Sequence, residues 1–324
     1  MPSQKISAGL PRPLRVGMRG PNVRTVEREL KELGLLKGPA DGFFDAKTKA
    51  AVQRYERAQG WKADGVVGDR LFRKLTGGGA QGDAPAGKDS FNFRTVSINV
   101  KSNPEMSQDK VLHDVRKAAR AGSLIGWNEI GPKRYADAIR GLGKDWGHYF
   151  PKHGNYQIPN PISWKKSIWE KKDEGFMKTH GGLAKVSPSR YITWVELEHK
   201  KSGQRVVRLN THLVSGAWSS PKPTTEWRRA QWNTHMKKLD ALVEKFEKQG
   251  KVVIVGGDFN RDSHRVLGKD VRYASGLHTP THGNRTLDYI MHTPHEDLRK
   301  LGARSEGGYR SDHDAVIVKY QLKK

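Results

Sequence analysis

The chain has 324 residues, of which 35% are hydrophobic and nine are Trp, enough to build buried cores and to argue against wholesale disorder. It has no cysteine, which excludes disulfide staples, thiolate zinc sites and a cysteine nucleophile. A formal net charge of +25 fits a polyanionic partner (nucleic acid, anionic lipid or anionic wall polymer) but names no reaction.

At roughly 100–200 residues per domain, two domains are expected. No apolar run approaches the ~20 residues that span a bilayer. The start, MPSQKISAGLPRPLRVG, has no apolar core of a signal peptide, so none is expected. The Gly- and Ala-rich TGGGAQGDAPAGKDS, residues 76–90, reads as a flexible linker. Residues 1–89 hold 17 Lys+Arg against 10 Asp+Glu and no histidine. Residues 90–324 hold 42 against 24, a net +18, with all 13 histidines. Histidine serves acid–base and metal chemistry near neutral pH, so chemistry is expected in the second half.

In chain order, 21–36 predicts a helix with Val23, Val26, Leu30 and Leu33 on one face. Helices are also predicted at 46–60, with Ala51, Val52 and Tyr55, and at 68–78, with Leu71, Phe72 and Leu75. Asp45 and Asp69 are placed to cap the second and third. A short repeat, Ala40-Asp41-Gly42-Phe43-Phe44 and Ala63-Asp64-Gly65-Val66-Val67, marks two tight turns, each pinned by a pair of apolar residues. Nothing here is catalytic, and the module reads as a binding unit. The run LRVGMRGPNVRTVERELKELG through RLFRKL resembles the peptidoglycan-binding domain of wall hydrolases. That resemblance implies peptidoglycan as a partner of residues 1–76, with Asp45 standing where the family usually has Gly.

In the second half, strands are predicted at 93–100 and 123–130 around a helix at 108–121, and a hairpin at 190–199 and 203–213 turns at Lys201-Ser202-Gly203. A helix follows at 223–249 with Met236, Leu239, Val243 and Phe246 on one face, then strands at 251–260, 287–292 and 314–322. Hairpins mixed with crossover helices predict a mixed α/β sandwich, α+β in class, in place of a doubly wound sheet. Polar residues gather at the strand ends: Asn99, Glu129, Asn210, His212, Asp258, Asn260, Asp288, Asp312 and His313. On a strand, residues two apart share a face, which pairs Asn210 with His212 and Asp258 with Asn260. Alone, each of these is an ordinary turn former, cap or structural histidine.

As an ordered set, SINV, WNEI, NTHL, GGDFN, LDYI and SDH resemble the endonuclease/exonuclease/phosphatase superfamily, over about residues 93–322. WRRAQ at 227–231 adds to the likeness. The resemblance implies a four-layer α/β sandwich of two mixed sheets flanked by helices, here 91–324 after a linker at 77–90. It implies a Mg²⁺-dependent (or Mn²⁺- or Ca²⁺-dependent) phosphodiester hydrolase. Glu129, Asp312 and Asn99 would serve the metal. His212, Asp258, Asn260, Asp288 and His313 would be catalytic: Asp258 on the water, Asn260 on the phosphate, Asp288 orienting His313 as base or phosphate contact, and His212 as phosphate contact or acid. Arg190 and Tyr191 fall where the family often contacts phosphate. Lys101 stands where some relatives carry a further metal-binding acid, which argues against a second ion there.

The net +18 favours a polynucleotide, and Trp146, Trp164 and Trp169, set among basic residues, offer stacking surfaces or core packing. The glycines of GGDFN are expected to leave room for phosphate or metal. The reading is therefore a weakly sequence-specific DNA endonuclease, monomeric, held at a bacterial wall or encoded by a phage. The alternatives are a phosphomonoesterase or sphingomyelinase-like phosphodiesterase of the same fold, and a non-catalytic wall-binding protein. A wall hydrolase ranks low, because no HExxH and no cysteine–histidine set is present.

Overall fold

The computed structural model describes residues 12–32, 35–58, 61–68, 71–72, 75, 90–101, 106–131, 133–218, 223–262, 272–273 and 280–323. Two compact units emerge, residues 1–85 and 86–324. The expected linker at 77–89, Leu33 and Asp69 lie outside the described residues.

In the first unit α1 (Pro21–Glu32) and α2 (Ala46–Ala58) pack around Val23, Val26, Leu30, Phe44, Val52 and Val67, with Leu71 and Leu75 of the third segment. The sequence repeat is also a structural one. Asp41 accepts the Phe43 N–H at 2.8 Å and Asp64 that of Val66 at 2.9 Å. Gly42 and Gly65 take φ of +82° and +72°. Each turn is held by a buried carboxylate: Glu27 accepts Gly42 N–H at 2.7 Å, and Glu56 accepts Gly65 N–H at 2.8 Å. Asp45 caps α2 through Thr48 N–H at 2.7 Å.

The second unit has two six-stranded sheets. The first runs β13 (Leu298–Glu306), β14 (Ala315–Lys323), β1 (Ser90–Asn99), β2 (Leu124–Asn128), β6 (Ile162–Lys165), β3 (Trp146–Tyr149). The second runs β11 (Arg272–Tyr273), β12 (Asp288–His292), β10 (Val252–Asp258), β9 (Arg205–His212), β8 (Arg190–His199), β7 (Trp169–His180). A small hairpin, β4 (Lys152–His153) with β5 (Tyr156–Gln157), stands apart. Each large sheet is built on a parallel pair, β1 with β2 and β9 with β10, flanked by antiparallel neighbours.

Period-two patterning explains the four layers. In β10, Val253 and Val255 pack on α5 (Thr225–Glu247), while Val252 and Ile254 face the sheet-on-sheet core with Phe93, Val206, Val316 and Tyr320. Met236, Leu239, Val243 and Phe246 of α5 are all buried there, as their spacing predicts. On the outer face of the first sheet, α3 (Gln108–Ala121) and α4 (Lys133–Arg140) cover Val96, Ile98 and Trp127.

Two expectations change here. Trp146, Trp164 and Trp169 are 8%, 5% and 1% exposed, so they are core residues and offer no stacking surface. The two glycines of GGDFN make room for protein, not for a ligand. A Cβ at Gly256 would sit 2.5 Å from Nη2 of the buried Arg208, and one at Gly257 would collide with the Thr211 carbonyl.

Candidate active site

Topology alone gathers the polar strand ends. The C-terminal ends of β1, β2, β9 and β10 and the N-terminal ends of the antiparallel β8, β12 and β14 meet at one edge of the sandwich. Within the second sheet, Asp258 is in register with His212 on one side and Asp288 on the other. Within the first, Asn99 is in register with Asn128. The two rows face each other across the core, and the asparagines join them. Asn99 Nδ2 donates to Glu129 Oε1 at 2.9 Å and to Asp258 Oδ2 at 3.1 Å. Asn128 accepts Asp258 N–H at 3.2 Å and donates to the Thr211 carbonyl at 2.9 Å.

Backbone strain clusters here. Of the four non-glycine residues with positive φ among those described, Lys101, Glu129 and Asn260 lie on this rim, at +42°, +61° and +52°. Such conformations cost free energy and persist where the surroundings hold them.

His313 and Asp288 form one pair, Nδ1 to Oδ2 at 2.7 Å. Thr281 fixes the carboxylate. Its hydroxyl donates to Asp288 Oδ2 at 2.7 Å and accepts the N–H groups of Leu287 and Asp288. Burial disfavours the imidazolium of His313, but Asp288, with Asp258 and Asp312, outweighs it and raises the pKa to about 10. His313 is therefore a cation at neutral pH.

His212 is the opposite case. Arg190 Nη1 lies 2.9 Å from its Nδ1, and a guanidinium only donates, so Nδ1 accepts and Nε2 carries the proton. Nε2 lies 3.5 Å from Asp258 Oδ2 and 3.8 Å from Glu129 Oε1. Burial first, then Arg190 and His313, push its pKa well below the usual range. Burial and Asp288 push Asp258 up to about 7, against His313 and the Asn260 and Asn99 donors.

Asn210 and Asn260 serve the scaffold. Asn210 donates to the Trp127 carbonyl at 2.8 Å and to that of Pro161. The Asn260 N–H caps Asp258 Oδ1 at 2.8 Å, and its amide donates to the Leu213 carbonyl at 3.1 Å. Strand β10 ends at Asp258 and Asn260 takes φ of +52°, so the period-two pairing of these two residues does not apply. Asp312 pairs with the Lys101 ammonium and with His282 Nε2 at 3.3 Å; burial works to raise its pKa, but the Lys101 hydrogen bond and the charge of His313 and Lys101 hold it below the usual carboxylate range.

Among the described residues three groups of potential ligand atoms converge: Glu129–His212–Asp258, Asp258–Asp288–His313 and His282–Asp312–His313. The Glu129 and Asp258 carboxylates of the first group offer hard oxygens to a divalent ion. His212 Nε2 is protonated, His313 Nδ1 is paired with Asp288, and Asp312 is paired with Lys101. Asn99 turns its amide oxygen to Lys101 N–H at 2.9 Å and its NH₂ to the two acids, which fixes the position of both carboxylates. Acceptors also outnumber donors, because Asp288 Oδ1 is buried with no hydrogen-bond partner among the described residues.

The endonuclease/exonuclease/phosphatase family model matches residues 97–313, more than half of the chain and every strand end just described. The chain belongs to this family. Residues 19–75 match the model of a peptidoglycan binding domain. The second unit has the fold of the family's solved members. The human Nocturnin catalytic domain aligns at a TM-score of 0.55 with 16% identity, covering 72% of this chain and 97% of that one. The D. rerio TDP2 complexed with single strand DNA product aligns at 0.52 with 16% identity, covering 71% and 98%. At such identity the likeness is one of fold. Among curated relatives, N-acetylmuramoyl-L-alanine amidase CwlM of Mycobacterium tuberculosis is 28% identical over 120 residues. That match covers 37% of this chain and 29% of the relative. Membership makes this chain a hydrolase of the phosphoester-cleaving family, a family that generally depends on divalent metal. No helix among the described residues is long and apolar enough to cross a membrane.

Several contributors were not singled out from sequence. Asn128 was hidden beside Glu129 in WNEI, and Thr281 carries no motif. Asp114 of α3 accepts the N–H groups of Arg310 and Ser311 at 2.7 and 2.9 Å, and Ser311 Oγ donates to the Asn99 carbonyl, which anchors the SDH loop. His235 props the floor beneath His212, with Nε2 2.6 Å from Thr211 Oγ1.

Proposed function

We propose that this protein is a metal-dependent, weakly sequence-specific DNA endonuclease held at a bacterial cell wall by its first unit. The observation that carries the reading is the pairing of a cationic His313, fixed by Asp288, with a buried Asp258 carboxylate of raised pKa across one strand edge.

Glu129 and Asp258 would hold a divalent ion, oriented by Asn99, and the ion supplies positive charge to the phosphoryl oxygens. The Asp258 carboxylate, held by the Asn99 and Asn260 donors, would take the proton of the attacking water as that water adds to phosphorus. The P–O bond opposite then breaks, and the leaving oxygen takes a proton from solvent. The His313 imidazolium and the His212 Nε2–H sit to donate to the phosphoryl oxygens as negative charge builds. Because His313 is protonated and His212 is a neutral donor, the proton acceptor is assigned to Asp258. The net +18 on residues 90–324 favours a substrate with many phosphates.

Plasmid and oligonucleotide digestion with Mg²⁺, with EDTA and with Asp258→Ala or His313→Ala tests the site. Cleavage by the wild type alone, falling steeply with salt, supports it. Hydrolysis of a small phosphate ester or sphingomyelin with little salt dependence, and of no nucleic acid, would move the substrate to the other branch of the family. Retention of residues 1–80 on purified sacculi tests the wall tether, and free elution would sink it.

A further inference from the structure

We propose that the β4–β5 hairpin carries a base-stacking subsite for the nucleotide next to the scissile phosphate, with Tyr156 as the exposed face and Tyr191 as its buried anchor. This rests on the polynucleotide reading above.

Tyr156 is 41% exposed, one of only four large hydrophobic residues so exposed among those described. An exposed aromatic on a two-stranded hairpin is a poor use of apolar surface unless something covers it. Its ring is not loose. It stacks on Tyr191 with centroids 5.9 Å apart and planes at 28°. Tyr191 is 3% exposed and is held from two further sides. His153 packs edge-on at 5.7 Å and hydrogen-bonds the Tyr191 hydroxyl at 3.1 Å, and Phe176 packs edge-on at 6.1 Å. One aromatic layer therefore lies buried and the next stands in solvent with its outer face uncovered by these rings.

The platform lies near the site edge, where the Arg190 guanidinium and the Tyr156 hydroxyl act on one another. Tyr191 follows Arg190, which begins β8 at the site edge and donates to His212. The Tyr156 hydroxyl lies within the field of the Arg190 guanidinium. Arg190 also keeps a buried Nε without a hydrogen-bond partner. A flat aromatic face beside a row of phosphate-directed donors matches a nucleotide, whose base is planar and whose phosphate lies one sugar away. The hairpin also carries Lys152, which adds a cation on the same element.

The experiment uses the full-length chain with two single-stranded probes of equal length and charge. One is oligo(dT), and the other is an abasic tetrahydrofuran oligophosphate. Affinity is measured in EDTA, and cleavage is then followed with Mg²⁺. Wild type is expected to prefer oligo(dT) by about tenfold, in line with base–aromatic stacking. Tyr156→Ala should bring that preference to about one and raise KM on oligo(dT) about tenfold with kcat within about threefold, whereas Tyr156→Phe should keep the preference. Thermal unfolding of both variants shows whether the hairpin change disturbs the fold. If the wild type cleaves oligo(dT) and Tyr156→Ala keeps the full preference, the subsite is wrong and the nuclease reading stands. If the wild type cleaves plasmid but neither binds nor cleaves either probe, the subsite alone falls; if it cleaves no nucleic acid at all, both readings fall.

Discussion

Arg190 donates to Nδ1 of His212 across 2.9 Å, and this single bond decides which nitrogen of the ring carries the proton. It makes His212 a neutral donor. A glutamine can place an amide N–H near the same point, and an alanine cannot. His212→Gln should therefore retain roughly a tenth of the activity, while His212→Ala should fall about 10²- to 10³-fold, the range for losing one preorganised donor. Equal loss in both variants would return His212 to an acid role.

Asp288→Asn removes the partner that keeps His313 charged. Activity should fall by about 10²- to 10⁴-fold, as when a histidine loses its orienting carboxylate. Stability should respond as well. The folded-state pKa of His313, about 10, lies above its unfolded value near 6.5, so its contribution is complete below 6.5 and is lost as pH rises toward 10. Melting in EDTA should show wild-type stability declining between pH 7 and 10, with a shallower slope in Asp288→Asn.

The acid side has the reverse sign. Burial, then nearby Arg190 and lysines, pushes His180 down to about 4 and, with His180 itself, His235 well below the usual range. Their contributions are complete above about 6.5 and are lost as pH falls. His235 is locked neutral from both sides. Thr179 donates to the Arg190 carbonyl and so accepts from Nδ1, leaving Nε2 to accept from Thr211. Denaturant midpoints should fall from pH 6.5 to 4, and His235→Gln should be less stable at pH 7 but flatter over that range.

Adding Mg²⁺ after EDTA should raise the melting temperature, since an ion that binds only the folded state stabilises by mass action. Glu129→Gln and Asp258→Asn should abolish the rise. Asp312→Asn should keep most of it, because Lys101 and His282 already occupy that carboxylate. A rise lost only in Asp312→Asn would place the ion elsewhere.

The strand ends were legible because sequence records them twice, once as an apolar run and once as the polar residue that stops it. That is why Asp258, Asp288 and His212 emerge together, and why β8 is bounded at Arg190 and His199 in both readings. Partners that reach across the sandwich leave no such trace. Asn99 meets Asp258 over 159 positions and Asp114 meets Ser311 over 197, and no local pattern encodes those contacts. Trp146, Trp164 and Trp169 stand among basic residues in the sequence, so composition alone leaves a stacking surface open where the strands in fact bury all three. The register of Asp258 and Asn260 was misjudged because period-two reasoning ends where the strand does, one residue before Phe259.

Arg208 is fully buried between the sheets, with Thr95, Val96 and Leu209 supplying its acceptors, and its guanidinium lies against Gly126 and Gly256. A Cβ at either glycine would come within 2.7 or 2.5 Å of Nη2. These three positions, far apart in the chain, therefore share one volume and cannot vary independently. Alanine at Gly256 should be damaging beside arginine and far better tolerated beside a shortened residue 208. A mutational library of this protein would show that trio as a strong epistatic unit with no part in the chemistry.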